Sequence, residues 1–293
     1  MAPLTRPDLW RLLGAAPPGR PGVRNLEDGE TDGVRWRRLE LVSERVVPCL
    51  ELLPVNSAPG GRCPVLYAHA HGNRPDIGKA EVLTGRPALL EPPLGLALAR
   101  AGHRVLCPDM AGFGERQGEG PEGALAKALL WQGRTLLGVM VEDLCGALDW
   151  LRDETGQAPA VVGFSMGAFL AAALGALRPE VVRVAHLCGM AAMAPLIASG
   201  AHDLHGPYLT IPGLLPEHDL PDIAALIAPR PQFVAAGLAD PLTPPEAFAP
   251  LETRLREVYG AGGLTVHVGP QAGHVETEAM RAALLDFLAQ PDP

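Results

Sequence analysis

From residue 64 onward, short apolar runs alternate with longer stretches of helical period, and this alternation limits the fold more than any other feature. The strand-like runs cover 64–70, 103–109, 159–164, 181–189, 232–238 and 264–269. Between and after them lie helical stretches at 92–102, 135–154, 166–177, 245–260 and 276–289. In the second of these, Leu137, Met140, Val141, Leu144, Leu148 and Leu151 recur at helical spacing. Strands joined by helices predict a mostly parallel sheet with helices on both faces. Sheets of that kind place their sites at the carboxyl ends of strands. Upstream, 36–42 and 46–55 are strand-like and flank Ser43-Glu44-Arg45, which predicts a hairpin. Residues 5–14 read as a short helix behind Thr5, and 15–33, rich in Pro and Gly, as an arm or loop. The expected organisation is a helix and arm over 1–33 and one α/β domain over 34–293. Residues 190–220 are too long for a plain connection and read as a small lid insertion, with 115–135 as a second wall.

Composition narrows the function. Hydrophobic residues make up 47% of the 293, enough for a large core. Charged residues make up 19%, too few for a disordered or coiled-coil chain. The net charge is -9 without a Lys/Arg cluster, which argues against a nucleic-acid partner. Cys49, Cys63, Cys107, Cys145 and Cys188 are widely spaced without a CxxC, so reduced thiols are expected. The first residues carry Arg6, Asp8 and Arg11 and lack a secretory core, and no apolar run reaches membrane-spanning length. The expectation is a cytoplasmic protein without a membrane partner. Its oligomeric state is not set by these features.

One strand-to-helix junction carries chemistry: Gly163-Phe164-Ser165-Met166-Gly167. A tight turn there strains the serine backbone and lifts its Oγ clear of the sheet, at a helix N-terminus. Side chains at Gly163 and Gly167 would collide with the neighbouring strand and helix. The plain alternative is a serine that only caps the helix. A nucleophilic serine needs a base and an acid that orients it, in the chain order Ser, Asp, His. Asp240 follows the strand 232–238, and His274 follows the strand 264–269 with Gly273 giving it backbone freedom. Alternatively, Asp240 caps a turn before Pro241 and His274 caps the last helix.

The other histidines fit structural roles: His186 and His267 inside strands, His103 in a loop before one. His202, Asp203 and His205 form H-D-x-H, with Glu217, His218 and Asp219 nearby, but their spacing is irregular and no metal site is assigned. An oxyanion needs two backbone donors. Met166 N–H is the first. The second comes from the loop His69-Ala70-His71-Gly72-Asn73, with His71 N–H as first choice and Asn73 N–H as second. The side chains of His69 and His71 are expected to pack around that loop.

These residues resemble the α/β-hydrolase superfamily over 64–289. The motifs are His69-Ala70-His71-Gly72, the run Asp109-Met110-Ala111-Gly112-Phe113-Gly114-Glu115-Arg116, the Ser165 junction, Asp240, and Gly273-His274. Within it, the chain is most similar to the dienelactone hydrolase and acetyl-xylan-esterase-like branch. His69 to Gly72 with the later Gly78-Lys79 matches that branch's HxHG…GK loop, and 222–244 resembles its segment leading to the acid. The hairpin at 34–55 matches the antiparallel edge that opens the fold. The resemblance implies a Ser165–Asp240–His274 triad and a structural role for Asp109. True dienelactone hydrolases use cysteine, so Ser165 favours ordinary esters.

The expected function is a serine carboxylesterase on small-acyl esters, needing no cofactor and taking a small-molecule ester as its partner. Met190, Met193, Leu196, Tyr208 and Leu209 are the candidates for an acyl or alcohol pocket. An amidase or peptidase on the same site is one alternative. A non-catalytic hydrolase-fold binding protein is the other.

Overall fold

The computed structural model describes residues 2–55, 62–215 and 217–291. Among the described residues nine strands form one sheet: β1 (Gly22–Thr31), β2 (Val34–Val42), β3 (Val46–Leu52), β4 (Val65–Ala68), β5 (Val105–Pro108), β6 (Ala160–Phe164), β7 (Val184–Leu187), β8 (Gln232–Gly237) and β9 (Leu264–Gly269). Their order is β1-β2-β3-β5-β4-β6-β7-β8-β9. The pairs from β1 to β5 through β3 are antiparallel, and those from β5 to β9 are parallel. The helices are α1 (Arg6–Leu13), α2 (Glu81–Thr84), α3 (Leu94–Arg100), α4 (Glu122–Trp131), α5 (Leu136–Thr155), α6 (Met166–Leu177), α7 (Met193–Ser199), α8 (Leu220–Ala225), α9 (Pro245–Tyr259) and α10 (Glu278–Ala289).

Two cores flank the sheet. One gathers α1, α5, α6, α8 and α9, and the other α3 and α10. The central strands β4 to β8 are buried along their whole length. They therefore read as unbroken apolar runs rather than as alternating ones. Side-chain caps start the helices where a Thr is available: Thr135 accepts from Gly138 N at 2.9 Å and Thr277 from Met280 N at 3.2 Å.

One expectation is corrected. Within 15–33, Gly22–Thr31 is a strand paired antiparallel with β2, not an arm or loop. Most of its residues are exposed, so no apolar alternation marks it. Its stability comes from pairing and from Trp36, whose Nε1 donates to Thr31 Oγ1 at 3.1 Å. The turn is Asp32-Gly33, both with positive φ (51° and 77°). That Asp-Gly pair is a local hairpin signal legible in the sequence.

Candidate active site

Ser165 sits between β6 and α6 at φ 57° and ψ -120°, a backbone conformation rarely adopted by residues with a side chain. Its amide donates to Leu187 O at 2.9 Å, and its carbonyl accepts from Ala168 N at 3.0 Å. The flanking glycines are required by contact. A Cβ on Gly163 would overlap the Gly167 carbonyl, and one on Gly167 would overlap that of Ala68. Ser165 does not cap α6 with its side chain. Its Oγ instead lies 2.8 Å from His274 Nε2.

His274 Nδ1 donates to Asp240 Oδ2 at 2.7 Å. A carboxylate only accepts, so this bond leaves Nε2 free to accept the serine proton. Asp240 is buried at the end of β8. It also accepts from Leu242 N at 2.8 Å and Thr243 Oγ1 at 3.1 Å. It therefore holds the turn before Pro241 and the imidazole together. His274 does not cap the last helix, because Thr277 does. The loops carrying acid and base are tied by Ala239 N to Ala272 O at 2.9 Å. The glycine that permits this approach is Gly237, where a Cβ would overlap the Ala272 carbonyl. Gly273 itself has no positive φ, and an added Cβ there would meet only the Ala239 carbonyl at an ordinary 3.9 Å, correcting the expectation that it supplies freedom for His274.

The loop after β4 is held from both sides. Buried Glu81 accepts from Tyr67 OH at 2.6 Å and Ala70 N at 3.1 Å, and pairs with Arg86. Arg86 in turn donates to Ala70 O at 3.0 Å. His71 meets Phe113 edge-on and lies tilted against Tyr208, with ring centroids 5.2 and 5.8 Å away. Its Nδ1 accepts from Asn73 N at 3.0 Å, so its Nε2 donates to Glu122 Oε2 at 2.9 Å. Asn73 N–H is thus spent within the loop, which removes the second choice of oxyanion donor. The amides of His71 and Met166 have no acceptor among the described residues. No spacing rule along the chain links Glu81, Arg86 or Glu122 to the loop they hold, so sequence pattern does not mark them.

Asp109 is buried immediately after β5. Its carboxylate accepts from Lys79 N (2.7 Å), Lys79 Nζ (2.6 Å) and Glu115 N (3.0 Å). A Cβ on Gly78 or Gly114 would overlap it. Burial acts to lower the Lys79 pKa, but Asp109 and Glu115 outweigh it and hold the amine above its ordinary value.

Residues 190–220 run from β7 towards α8. Asp219 ties the ends of this segment, accepting from Met193 N (2.7 Å), Ala194 N (3.0 Å) and Leu220 N (2.6 Å). A cavity of about 500 Å³ lies within the segment, with Met193 and Leu209 in its wall. Met190, Leu196 and Tyr208 are instead buried in packed clusters. A second cavity of about 460 Å³ is walled by His71, Phe113 and Glu122. Among the described residues no three His, Cys, Asp or Glu side chains converge to hold a metal ion. His205 Nε2 donates to Leu242 O at 2.9 Å. No described helix is long and apolar enough to cross a membrane.

Two buried histidines make stability depend on pH. His69 donates from Nδ1 to Ala70 O (3.0 Å) and accepts at Nε2 from Met110 N (3.1 Å). Burial lowers its pKa to about 4, and that of His186 to about 3. The unfolded chain takes up these protons near pH 6.5, which the folded chain refuses until far lower. Stability is therefore full above pH 6.5 and falls as pH drops towards 4, by up to about 1.4 kcal/mol per pH unit per group. Thermal unfolding between pH 7.5 and 5 should show a falling Tm, with a shallower slope in His186→Asn. A Tm independent of pH over that range would contradict neutral burial.

Known proteins agree with this architecture. A family model described as the alpha/beta hydrolase fold matches residues 83–206. The Bacillus subtilis (strain 168) protein named "Putative hydrolase YtaP" is 33% identical over 293 residues, covering 97% of each chain. Acetyl Xylan Esterase 1 from Thermoanaerobacterium sp. JW/SL YS485 superposes with a TM-score of 0.69 at 17% identity, over 98% of this chain and 93% of that one. A glucuronoyl esterase from Solibacter usitatus gives 0.69 at 14% identity, over 97% and 91%. The strained serine junction, the sheet order and a relative matched along nearly its full length agree: the chain belongs to the α/β-hydrolase family.

Proposed function

We propose that the protein is a serine hydrolase of carboxylic esters with small acyl groups. The observation that carries this reading is the unbroken relay from Ser165 Oγ through His274 to buried Asp240, at 2.8 and 2.7 Å. The ester names of the structural neighbours support the bond type, and the acetyl xylan esterase among them supports the small acyl group.

In this reading Ser165 Oγ attacks the ester carbonyl as its proton passes to His274 Nε2. The developing oxyanion accepts from the Met166 and His71 amides. The carbonyl–alkoxy bond then breaks, and the alcohol leaves with the proton from Nε2. Water attacks the acyl-serine, giving its proton to Nε2. The serine–acyl bond breaks, the acid departs and Oγ recovers its proton. Asp240 keeps the imidazole in the required tautomer throughout. Glu122 acts as a positioning residue, since it holds the side chain of the residue whose amide is the second donor.

A fluorophosphonate should add once to the wild-type chain, map to Ser165 by peptide mass, and abolish hydrolysis of p-nitrophenyl acetate. The rate on p-nitrophenyl acetate should exceed that on the octanoate. Labelling at another residue with loss of activity would defeat the assignment of Ser165. A preference for octanoate would defeat the small acyl group.

A further inference from the structure

The larger cavity lies in the segment between β7 and α8. Its wall is more apolar than polar: Met193, Ile197, Leu209, Ile211 and Leu214 line it, against His202, Asp203 and His205. At about 500 Å³ it is within the range of small-molecule sites, roughly 300–1,000 Å³. Two apolar side chains at this cavity reach solvent: Ile197 and neighbouring Leu204 are 49% and 58% exposed.

His205 fixes which side of the reaction this cavity serves. It donates to Leu242 O at 2.9 Å, and Leu242 N donates to Asp240 at 2.8 Å. The cavity wall is therefore built onto the acid loop, on the imidazole side of the site. Burial lowers the His205 pKa, and His274 lies close enough to add repulsion. The other cavity borders His71, on the oxyanion-loop side. The leaving alcohol must receive its proton from His274 Nε2, so it lies towards the imidazole, while the carbonyl oxygen turns towards the amides of Met166 and His71.

We propose that the cavity walled by Met193, Ile197, Leu209, Ile211 and Leu214 binds the alcohol moiety of the substrate, and that the substrate class is short-acyl esters of hydrophobic alcohols. This rests on the serine-esterase reading and adds the alcohol to it. Each methylene that enters the cavity should raise kcat/KM, by up to about fourfold.

The test uses two series. One holds the acyl group as acetyl and varies the alcohol: ethyl, butyl, hexyl and 2-phenylethyl acetate. The other holds ethanol and lengthens the acyl group: ethyl acetate, butyrate and octanoate. Ile197→Glu and Thr210→Trp change exposed cavity residues, one by charge and one by bulk, outside the catalytic machinery. Wild type should hydrolyse hexyl acetate with kcat/KM about tenfold or more above ethyl acetate. Both variants should reduce that ratio at least fivefold. A flat alcohol series with ethyl acetate still hydrolysed overturns the proposal and spares the esterase reading. So does a variant effect confined to the acyl series. No hydrolysis of any ester by wild type overturns both.

Discussion

Ser165→Ala should lower kcat/KM for p-nitrophenyl acetate by roughly 10⁴- to 10⁶-fold. The variant removes one oxygen, the one that lies 2.8 Å from His274 Nε2. Without it His274 has no proton to take, and water must attack the carbonyl directly. The Met166 and His71 amides remain, so residual hydrolysis above the uncatalysed rate is expected. Stability should move little. Alanine keeps the Cβ and so keeps the strained backbone at φ 57°, and the lost hydrogen bond is part-buried rather than central to the core. The Tm of the variant should stay within a few degrees of wild type, which separates lost chemistry from lost fold. Activity within tenfold of wild type, with the fold intact, would mean that Ser165 is not the nucleophile.

The second large effect is expected from Gly167→Ala, a change of one methyl group. The new Cβ would overlap the Ala68 carbonyl and lie 2.9 Å from the His69 carbonyl. Neither side can retreat. Ala68 ends β4, which pairs with β5 on one edge and β6 on the other. All residues of α6 are buried, so that helix has no room to shift. Forced overpacking of this kind costs about 3 kcal/mol, which lowers Tm by on the order of 10 °C. Catalysis should suffer as well. The helix start carries the Met166 amide, and β4 leads directly into the loop carrying the His71 amide. A separation of about 1 Å between them costs roughly 10²-fold in rate. Gly123→Ala is the control, since nothing lies near its added Cβ and it sits on exposed α4. That change should hold or raise Tm, because alanine favours helix over glycine by about 1 kcal/mol. A Gly167→Ala protein with the Tm and rate of wild type would show that α6 and β4 do not approach this closely.

Local pattern was a good guide wherever burial made the pattern unambiguous. Residues 264–269 and 166–177 are legible to the residue, because one is a run of β-formers ending at glycine and the other is apolar throughout and wholly buried. Gly22–Thr31 was not legible by that route. An edge strand with both faces in solvent buries little, so it leaves no alternation to find. The pocket was read only in part for the opposite reason. Methionine, leucine and tyrosine look alike in sequence whether they line a cavity or fill a core. Tyr208 is held in the core against His71, while Met193 faces a cavity.

What the sequence determined alone is the set of residues at strand ends. Ser165, Asp240 and His274 each follow an apolar run, and chain order and local period suffice to name them. What only the tertiary structure decided is how they are held and which of their neighbours matter. Asn73 N–H is turned inward onto His71, Glu81 and Arg86 clamp Ala70, and His205 joins the cavity wall to the acid loop. These are contacts between residues up to 37 positions apart. Hydrogen-bond partners at that separation are chosen by how strands and loops stack in space, and no period along the chain records that choice.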